Sequence, residues 1–293
     1  MEKNILPVSA IITTYKTKDF ALKALAALYA AASLPKQVIV IDNNSNDGTV
    51  EALRAAFPQA EYVVNEKDLG YAGSNNRAIR EFATEPYVWL LSSDTETGAH
   101  SMEQLYQFIE LHPEVGAVGP QLVYPDRSWQ SVGGFFPTPL NVFLYLLPIT
   151  KLLPAAVRRK LKLIGLFPQA IPDGGIELDY VTGAAILLRK KALDKVGLMS
   201  EDFYMYFEDT DLCLRLRKDN WKCVVINSDP VMHVYGGSFK TKYDKRRLKI
   251  TLDSLVLFIN KHYSGWKKYV MIFEVKLLGP MSLLIKRLKN ILP

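Results

Sequence analysis

The chain has 293 residues, 49% of them apolar and 23% charged, which is enough to bury one large core or two modest ones and excludes a disordered polymer. Its formal charge of +6 is local: residues 240–293 hold thirteen Lys and Arg against three acids, leaving 23 bases, 27 acids and a net −4 elsewhere. The Leu, Ile, Phe and Trp interleaved with those terminal bases favour an anionic lipid surface over a plain solvated face, with nucleic acid the weaker choice of partner.

From Val8 to about Gln121, short β-branched runs alternate with helical patterns, the signature of a parallel sheet with crossover helices. Strands are predicted at 8–14, 37–42, 61–65, 87–92 and 115–121, with helices at 18–32, 49–56, 72–83 and 101–112 between them. Right-handed crossovers would bring the C-terminal ends of these strands to one edge, where ligands bind in such sheets. Residues 122–178 break the rhythm with prolines, glycine pairs and the apolar stretch LNVFLYLLPITKLLPAAVRRKLKLIGLF, which holds five bases and no acid. They read as an insertion. A second block follows, with a strand near 179–188, helices near 190–196 and 209–219, and a strand near 222–227. Leu248, Leu252, Leu255, Val256, Ile259 and Tyr263 then form a helical stripe suited to packing onto the domain.

Cys213 and Cys223 fall in a predicted helix and strand, and MEKNILPVSA lacks the pattern of a secretory leader, so a cytoplasmic protein is expected. Residues 128–150 carry no charge, but Pro137, Pro139, Pro148 and the Gly133-Gly134 pair interrupt them. The expected membrane association is therefore peripheral. The apolar tail would equally serve a homodimer interface.

Acids stand where these strands end. VIVID stops at Asp42, and the polar turn Asn43-Asn44-Ser45-Asn46-Asp47-Gly48 opens a helix at Thr49. Asp42 is read as a ligand contact, Asp47 as a helix cap. NEKDLGYAGSNNRAI places Gly70 and Gly73 before a helix expected to start near Ser74, whose first amides could approach a phosphate; ordinary capping accounts for the pattern equally well. YVWLL runs into SSDTE, so Asp94 and Glu96 lie beyond a strand end. Such acids suit Mg²⁺ or Mn²⁺ holding a diphosphate, and spacing alone does not separate this from a solvated loop. FYMYFEDTD sets Glu208, Asp209 and Asp211 at a helix start beside aromatic residues. One partly buried carboxylate with a raised pKa there would suit a general base. His233 follows a strand and, taken alone, reads as a paired core histidine.

In order, VSAIITTYK, VIVIDNNSNDGT, NEKDLGYAGSNNRAI, VWLLSSDTE, YVTGAAILLRKKAL, FYMYFEDTDLCLRL and VMHVYGGS resemble the family 2 glycosyltransferases, in particular their rhamnosyltransferase-like branch. The resemblance implies an α/β glycosyltransferase A fold: a mostly parallel, Rossmann-like sheet with helices on both faces, plus a helical basic C-terminal extension. It implies a nucleotide-sugar-binding half at 1–121, an acceptor-binding half at 122–239 with its insertion at 122–178, and an amphipathic basic region at 240–293.

By the same resemblance, Thr14, Tyr15, Asp42, Asn44, Gly73, Asn76 and Ser93 bind the donor nucleotide, with Asp42 accepting from a uracil or thymine base. Asp94 matches the last acid of the family's Asp-x-Asp signature. Ser92 stands at the signature's first position, so Glu96 or His233 is expected to help hold Mn²⁺ or Mg²⁺. Asp209 corresponds to the catalytic base, with Glu208 beside it, and Thr182, Gly183 and Asp211 are assigned to the acceptor. The implied reaction is inverting transfer from a UDP- or dTDP-sugar to a lipid-linked saccharide on the inner face of the cell membrane. A membrane-associated binding protein that has lost efficient transfer is the alternative that Ser92 favours. No G-x-G-x-x-G follows a strand, which argues against a dehydrogenase, and TTYKTKDF lacks the loop of a nucleotidyltransferase.

Overall fold

The computed structural model describes residues 3–147, 157, 160–165, 170–234 and 245–288. Strand and helix alternate through β1 (Asn4–Thr14), α1 (Lys18–Ala30), β2 (Ser33–Asp42), α2 (Thr49–Ala56), β3 (Glu61–Val64), α3 (Gly70–Glu81) and β4 (Tyr87–Ser92). Val8–Ile12, Val38–Ile41 and Val88–Leu91 are nearly continuous apolar runs, and all but Ser9 among them are buried hydrophobics of one core. A run apolar at every position must be covered on both faces, which a parallel sheet flanked by helices provides. β3, β2, β1 and β4 lie side by side and parallel, with Thr14 opposite Asp42 and Thr13 opposite Ser92. Their C-terminal ends therefore share one edge.

The next strand differs from expectation. β6 (Val115–Gly119), which follows α4 (Ser101–Leu111), does not extend the parallel row. β11 (Ala185–Arg189) enters between β4 and β6, antiparallel to both. Its Ala185–Leu188 are all buried, so the segment needs a central slot, and an apolar run carries no information about direction. β12 (Lys222–Val225) then pairs parallel with β6, and β9 (Ile176–Leu178) closes that edge antiparallel. The strand expected near 179–188 is thus broken: β10 (Tyr180–Val181) pairs with β8 (Gly133–Gly134), and Thr182–Ala184 form a link into β11. Running antiparallel, β11 brings its N-terminal end to the ligand edge.

A three-stranded ribbon sets β13 (Val231–His233) between β5 (Thr95–Glu96) and β7 (Leu122–Val123). Within the insertion, α5 (Pro139–Leu146) starts where Thr138 caps Asn141 N–H at 3.3 Å, Asn141 returns a bond to Thr138 N–H at 2.6 Å, and Pro139 takes the first helical position. Residues 148–156 of its apolar stretch, Pro148 included, lie outside the described residues. The helices that follow among the described residues are α6 (Lys190–Val196), α7 (Glu208–Lys218), α8 (Lys245–His262) and α9 (Gly265–Leu288). The stripe anticipated on α8 does pack, but into a second, smaller cluster. Leu255, Phe258 and Ile259 meet Val142 and Leu146 of α5, Met271 and Val275 of α9, and Phe203 and Phe207 from the segment before α7.

Candidate functional site

At the strand edge, buried hydroxyls tie β1 to β4: Thr14 Oγ1 lies 2.9 Å from Thr17 Oγ1, which lies 2.8 Å from Ser93 Oγ. Asp42 is buried, and its carboxylate accepts from Ser45 N–H at 2.8 Å and Ser45 O–H at 2.5 Å. Ser45 Oγ in turn accepts from Lys16 N–H at 2.8 Å, so one turn locks the loops after β1 and β2 together. A carboxylate has about four acceptor sites, so two such bonds leave capacity for a ligand donor. Asn44 stands in the left-handed region (φ 64°) and its side chain accepts from Asn46 at 2.6 Å. Tyr15 is exposed at the mouth, with the Lys16 ammonium 5.3 Å from its ring centroid. Asp47 caps Thr49 N–H at 3.1 Å, as expected.

α3 begins at Gly70, ahead of the starts expected at residue 72 and near Ser74. Gly70 has φ +70°, and a Cβ there would stand 2.9 Å from Tyr204 O, so both conformation and space require glycine. Asp68 joins the parts around it: it accepts from Gly70 N–H at 2.8 Å, from Tyr204 O–H at 3.1 Å and from the Asn43 amide. Gly73 lies inside the helix, where a Cβ would crowd Leu69 Cβ at 2.9 Å. Asn76 is a correction to the donor-binding set. It is buried, donates to Met199 O at 2.8 Å and Glu201 at 2.9 Å, and accepts from Met199 N–H at 3.0 Å. Its amide is spent holding the 199–201 segment.

The catalytic candidates follow a strained turn. Tyr206 and Phe207 are consecutive non-glycine residues at φ 67° and 68°, a conformation that costs on the order of 1–3 kcal/mol each. α8 holds them there: Phe207 packs on Phe258 at 5.6 Å between ring centroids, and Ser254 O–H donates to Met205 O at 2.8 Å. The turn delivers Glu208 and Asp209 to the first turn of α7. Asp209 is half-buried and accepts from Gly183 N–H at 2.8 Å and Thr210 N–H at 2.6 Å. Burial pushes its carboxyl above the usual range, and these two donors pull part of the way back. Glu208 is pushed up further, by burial first and the Asp209 charge second. Its Oε2 is buried and has no hydrogen-bond partner among the described residues.

Tyr71 was not singled out in the sequence, yet it joins both sides of the site. Its hydroxyl donates to Gly183 O at 2.5 Å, on the residue whose N–H holds Asp209. The phenol is pushed up by burial and then by the charges of Glu208, Asp209 and Asp94, and a Cβ at Gly183 would touch both the Tyr71 ring, at 3.4 Å, and Asp209 Cβ, at 3.5 Å. The available signal was an aromatic residue between Gly70 and Gly73 in an otherwise small and polar helix start.

Thr182 lies half-buried in the link before β11. Asp211 is another correction: it is fully buried, and its carboxylate is shared by His262 Nε2 at 2.7 Å and Arg215 Nε at 2.9 Å. It closes α7 onto α8 and does not open toward an acceptor.

His233 Nε2 lies 3.3 Å from Asp94 Oδ1. Gln130 Nε2 donates to His233 O at 2.9 Å, which turns its Oε1 toward His233 Nδ1 at 2.6 Å and fixes that nitrogen as the protonated one. Nε2 is then the nitrogen that faces the Asp94 carboxylate. Imidazole plus carboxylate is a donor set that Mn²⁺ accepts, with Mg²⁺ relying more on the carboxylate. Glu96 is the third correction. It pairs across the ribbon with Met232 while Thr95 pairs with His233, so alternation sends Glu96 to the face opposite His233. Among the described residues, no group of three or more His, Cys, Asp or Glu forms a metal cage. Gly236 and Gly237, which follow His233, lie outside the described residues.

Residues 9–197 match the family model for glycosyl transferase family 2. The chain is 29% identical over 277 residues to the N-acetylglucosaminyl-diphospho-decaprenol L-rhamnosyltransferase of Mycobacterium tuberculosis, covering 90% of this chain and 86% of that one. It is 24% identical over 292 residues to the low-salt glycan biosynthesis hexosyltransferase Agl10 of Haloferax volcanii, covering 92% and 86%. Its fold is similar to the mannosyltransferase PcManGT of Pyrobaculum calidifontis, solved with GDP-Man and Mn²⁺, with a TM-score of 0.60, 18% identity and coverage of 95% and 72%. S. aureus TarS in complex with UDP-GlcNAc is similar at a TM-score of 0.57 and 15% identity, covering 91% and 70%.

Proposed function

The chain belongs to glycosyl transferase family 2 and has the glycosyltransferase A fold, and from that premise we propose that it moves a sugar, with inversion, from a nucleoside diphosphate donor to a lipid-linked saccharide. The observation that carries this reading is Gly183, whose N–H donates to Asp209 and whose carbonyl accepts from Tyr71, on the link that meets the end of β4 at the strand edge bearing Asp42 and Asp94. Asp209 serves as the base: the Gly183 and Thr210 N–H groups orient its carboxylate, and its raised pKa improves its grip on the acceptor's hydroxyl proton. As that oxygen becomes nucleophilic, it attacks the anomeric carbon opposite the departing diphosphate. Asp42 accepts from an N–H of a uracil or thymine base, beside Tyr15, Thr14 and Asn44, with Ser93 and the α3 start around Gly73 lining the rest.

Asp94 and His233 would hold Mn²⁺ or Mg²⁺, and such an ion, when bound, neutralises charge on the diphosphate leaving group. The PcManGT structure contains Mn²⁺, which supports this assignment. The lipid-linked acceptor is carried over from the mycobacterial relative, whose name specifies a decaprenol-linked substrate. An enzyme acting on such a lipid from the cytoplasmic side works at the inner face of the membrane.

The test is a panel of UDP- and dTDP-sugars assayed for transfer and donor hydrolysis, with and without Mn²⁺. Asp209→Asn is expected to lose about 10²–10⁴-fold in kcat while donor affinity, measured by calorimetry, stays within about two-fold. Turnover like that of the unmodified enzyme would remove Asp209 from its role.

A further inference from the structure

α9 is apolar on two opposite faces, and only one is used. Met271, Val275 and Gly279 face inward, the first two within the cluster that contains Phe207. On the outside, Trp266 is 68% exposed, Tyr269 72%, Phe273 63% and Leu277 54%. At 3.6 residues per turn, spacings of three, four and four place these four side chains in a single stripe. Isolated exposed hydrophobics are ordinary, whereas a continuous stripe of this size marks an interaction surface. α5, which packs on α9, adds exposed Leu140 and Phe143.

We propose that this stripe seats the protein on an anionic bilayer, with α9 lying in the plane of the interface. Charge selects the occupant. The sequence of α9 contains Lys267, Lys268, Lys276, Lys286 and Arg287 against one acid, Glu274. Glu274 Oε2 is buried and without a hydrogen-bond partner among the described residues, while Lys267 and Lys276 are exposed. Lys267 and Lys276 fall on opposite flanks of the stripe by helical geometry. There their stems can cover apolar surface while their ammonium groups reach phosphate. Trp and Tyr are the side chains that favour the headgroup level. A two-fold contact between copies of this chain would instead bring the flanking Lys267 and Lys276 against lysines of the other copy. No helix of the described residues is long and apolar enough to cross a membrane, consistent with a helix that lies on the surface. Because its inner face joins the Phe207 cluster, the docked helix and the segment aiming Asp209 belong to one packed unit.

The inference rests on the lipid-linked-acceptor reading for its purpose, but its test needs no substrate. Full-length protein is floated with vesicles of phosphatidylcholine alone or with phosphatidylglycerol added, at low and high salt. Binding is expected only with the anionic lipid, to weaken with salt, and to fall more than about ten-fold in a Trp266→Ser/Tyr269→Ser/Phe273→Ser variant. These residues are exposed, so the variant should keep its melting temperature and its donor hydrolysis in solution. Tyr269→Ser alone, with a smaller loss expected, checks the result if the triple variant melts early. Unchanged flotation of both variants would overturn the proposal. So would a lipid-free homodimer, detected by light scattering, that the triple variant disperses. Lost hydrolysis with intact flotation would instead count against the transfer chemistry and leave the docking surface standing.

Discussion

The two hydrophobic clusters serve the site in different ways. The large core fixes Thr14, Asp42, Ser93 and Asp94 through strand register, so the donor-facing groups stand at the ends of ordinary parallel strands. The small cluster holds a turn that the chain would not adopt alone, and Asp209 is aimed by that turn. One half of the site is a by-product of folding the sheet. The other is maintained against strain by helices more than forty residues further along the chain.

The sharpest way to break this contrast is a matched pair of truncations. Phe258→Ala should cost about 3–5 kcal/mol of stability and lower the kcat of the folded fraction, because Phe207 loses its partner. Leu25→Ala, equally buried but in the large core, should cost about 2–5 kcal/mol with kcat preserved. Denaturant melts and kcat at saturating donor check both. A smaller effect is expected for Tyr71→Phe, which removes one hydrogen bond to Gly183. The corresponding loss of about 0.5–1.5 kcal/mol should lower kcat by roughly two- to ten-fold and leave donor KM unchanged.

The smallest effects concern pH. Activity should rise with pH as Asp209 loses its proton, through a pKa already raised by burial. Glu208, raised further and in part by the Asp209 charge, is still neutral as Asp209 ionises, so Glu208→Gln should leave that limb in place. The sign for stability follows from the same raised pKa. The contribution of Glu208 is fully present below the ordinary Glu value of about 4.3 and is lost as pH rises toward its folded pKa. Glu208→Gln should therefore melt higher than the parent at alkaline pH, with the advantage fading in acid.

Much of the parallel strand edge was legible because its logic is local. An apolar run that stops at an acid, as at Asp42, states both the strand and its end. The placement of β11 was not legible, since Ala185–Leu188 would read the same running either way. Asn76 and Asp211 misled for a related reason: each sits in a polar motif near the site, but its partners lie 123 and 51 residues away. Burial against those partners turned a ligand-like residue into a brace. Glu96 missed through alternation: it is the strand neighbour of Thr95, which pairs with His233, whereas Asp94 stands in the turn before that strand and reaches the imidazole. Tyr71 was hidden by its motif, where glycines and amides drew the inference toward phosphate binding.

The left-handed pair at Tyr206 and Phe207 bears on synthesis as well as catalysis. Domains fold from the N-terminus as they leave the ribosome, so the strand ends that face the nucleotide are in place while the clamp residues Ser254 and Phe258 are still to be made. A nascent chain halted before α8 has the nucleotide-facing edge but no aimed base. On the proposed reading, transfer would begin only once α8 has been made and packed.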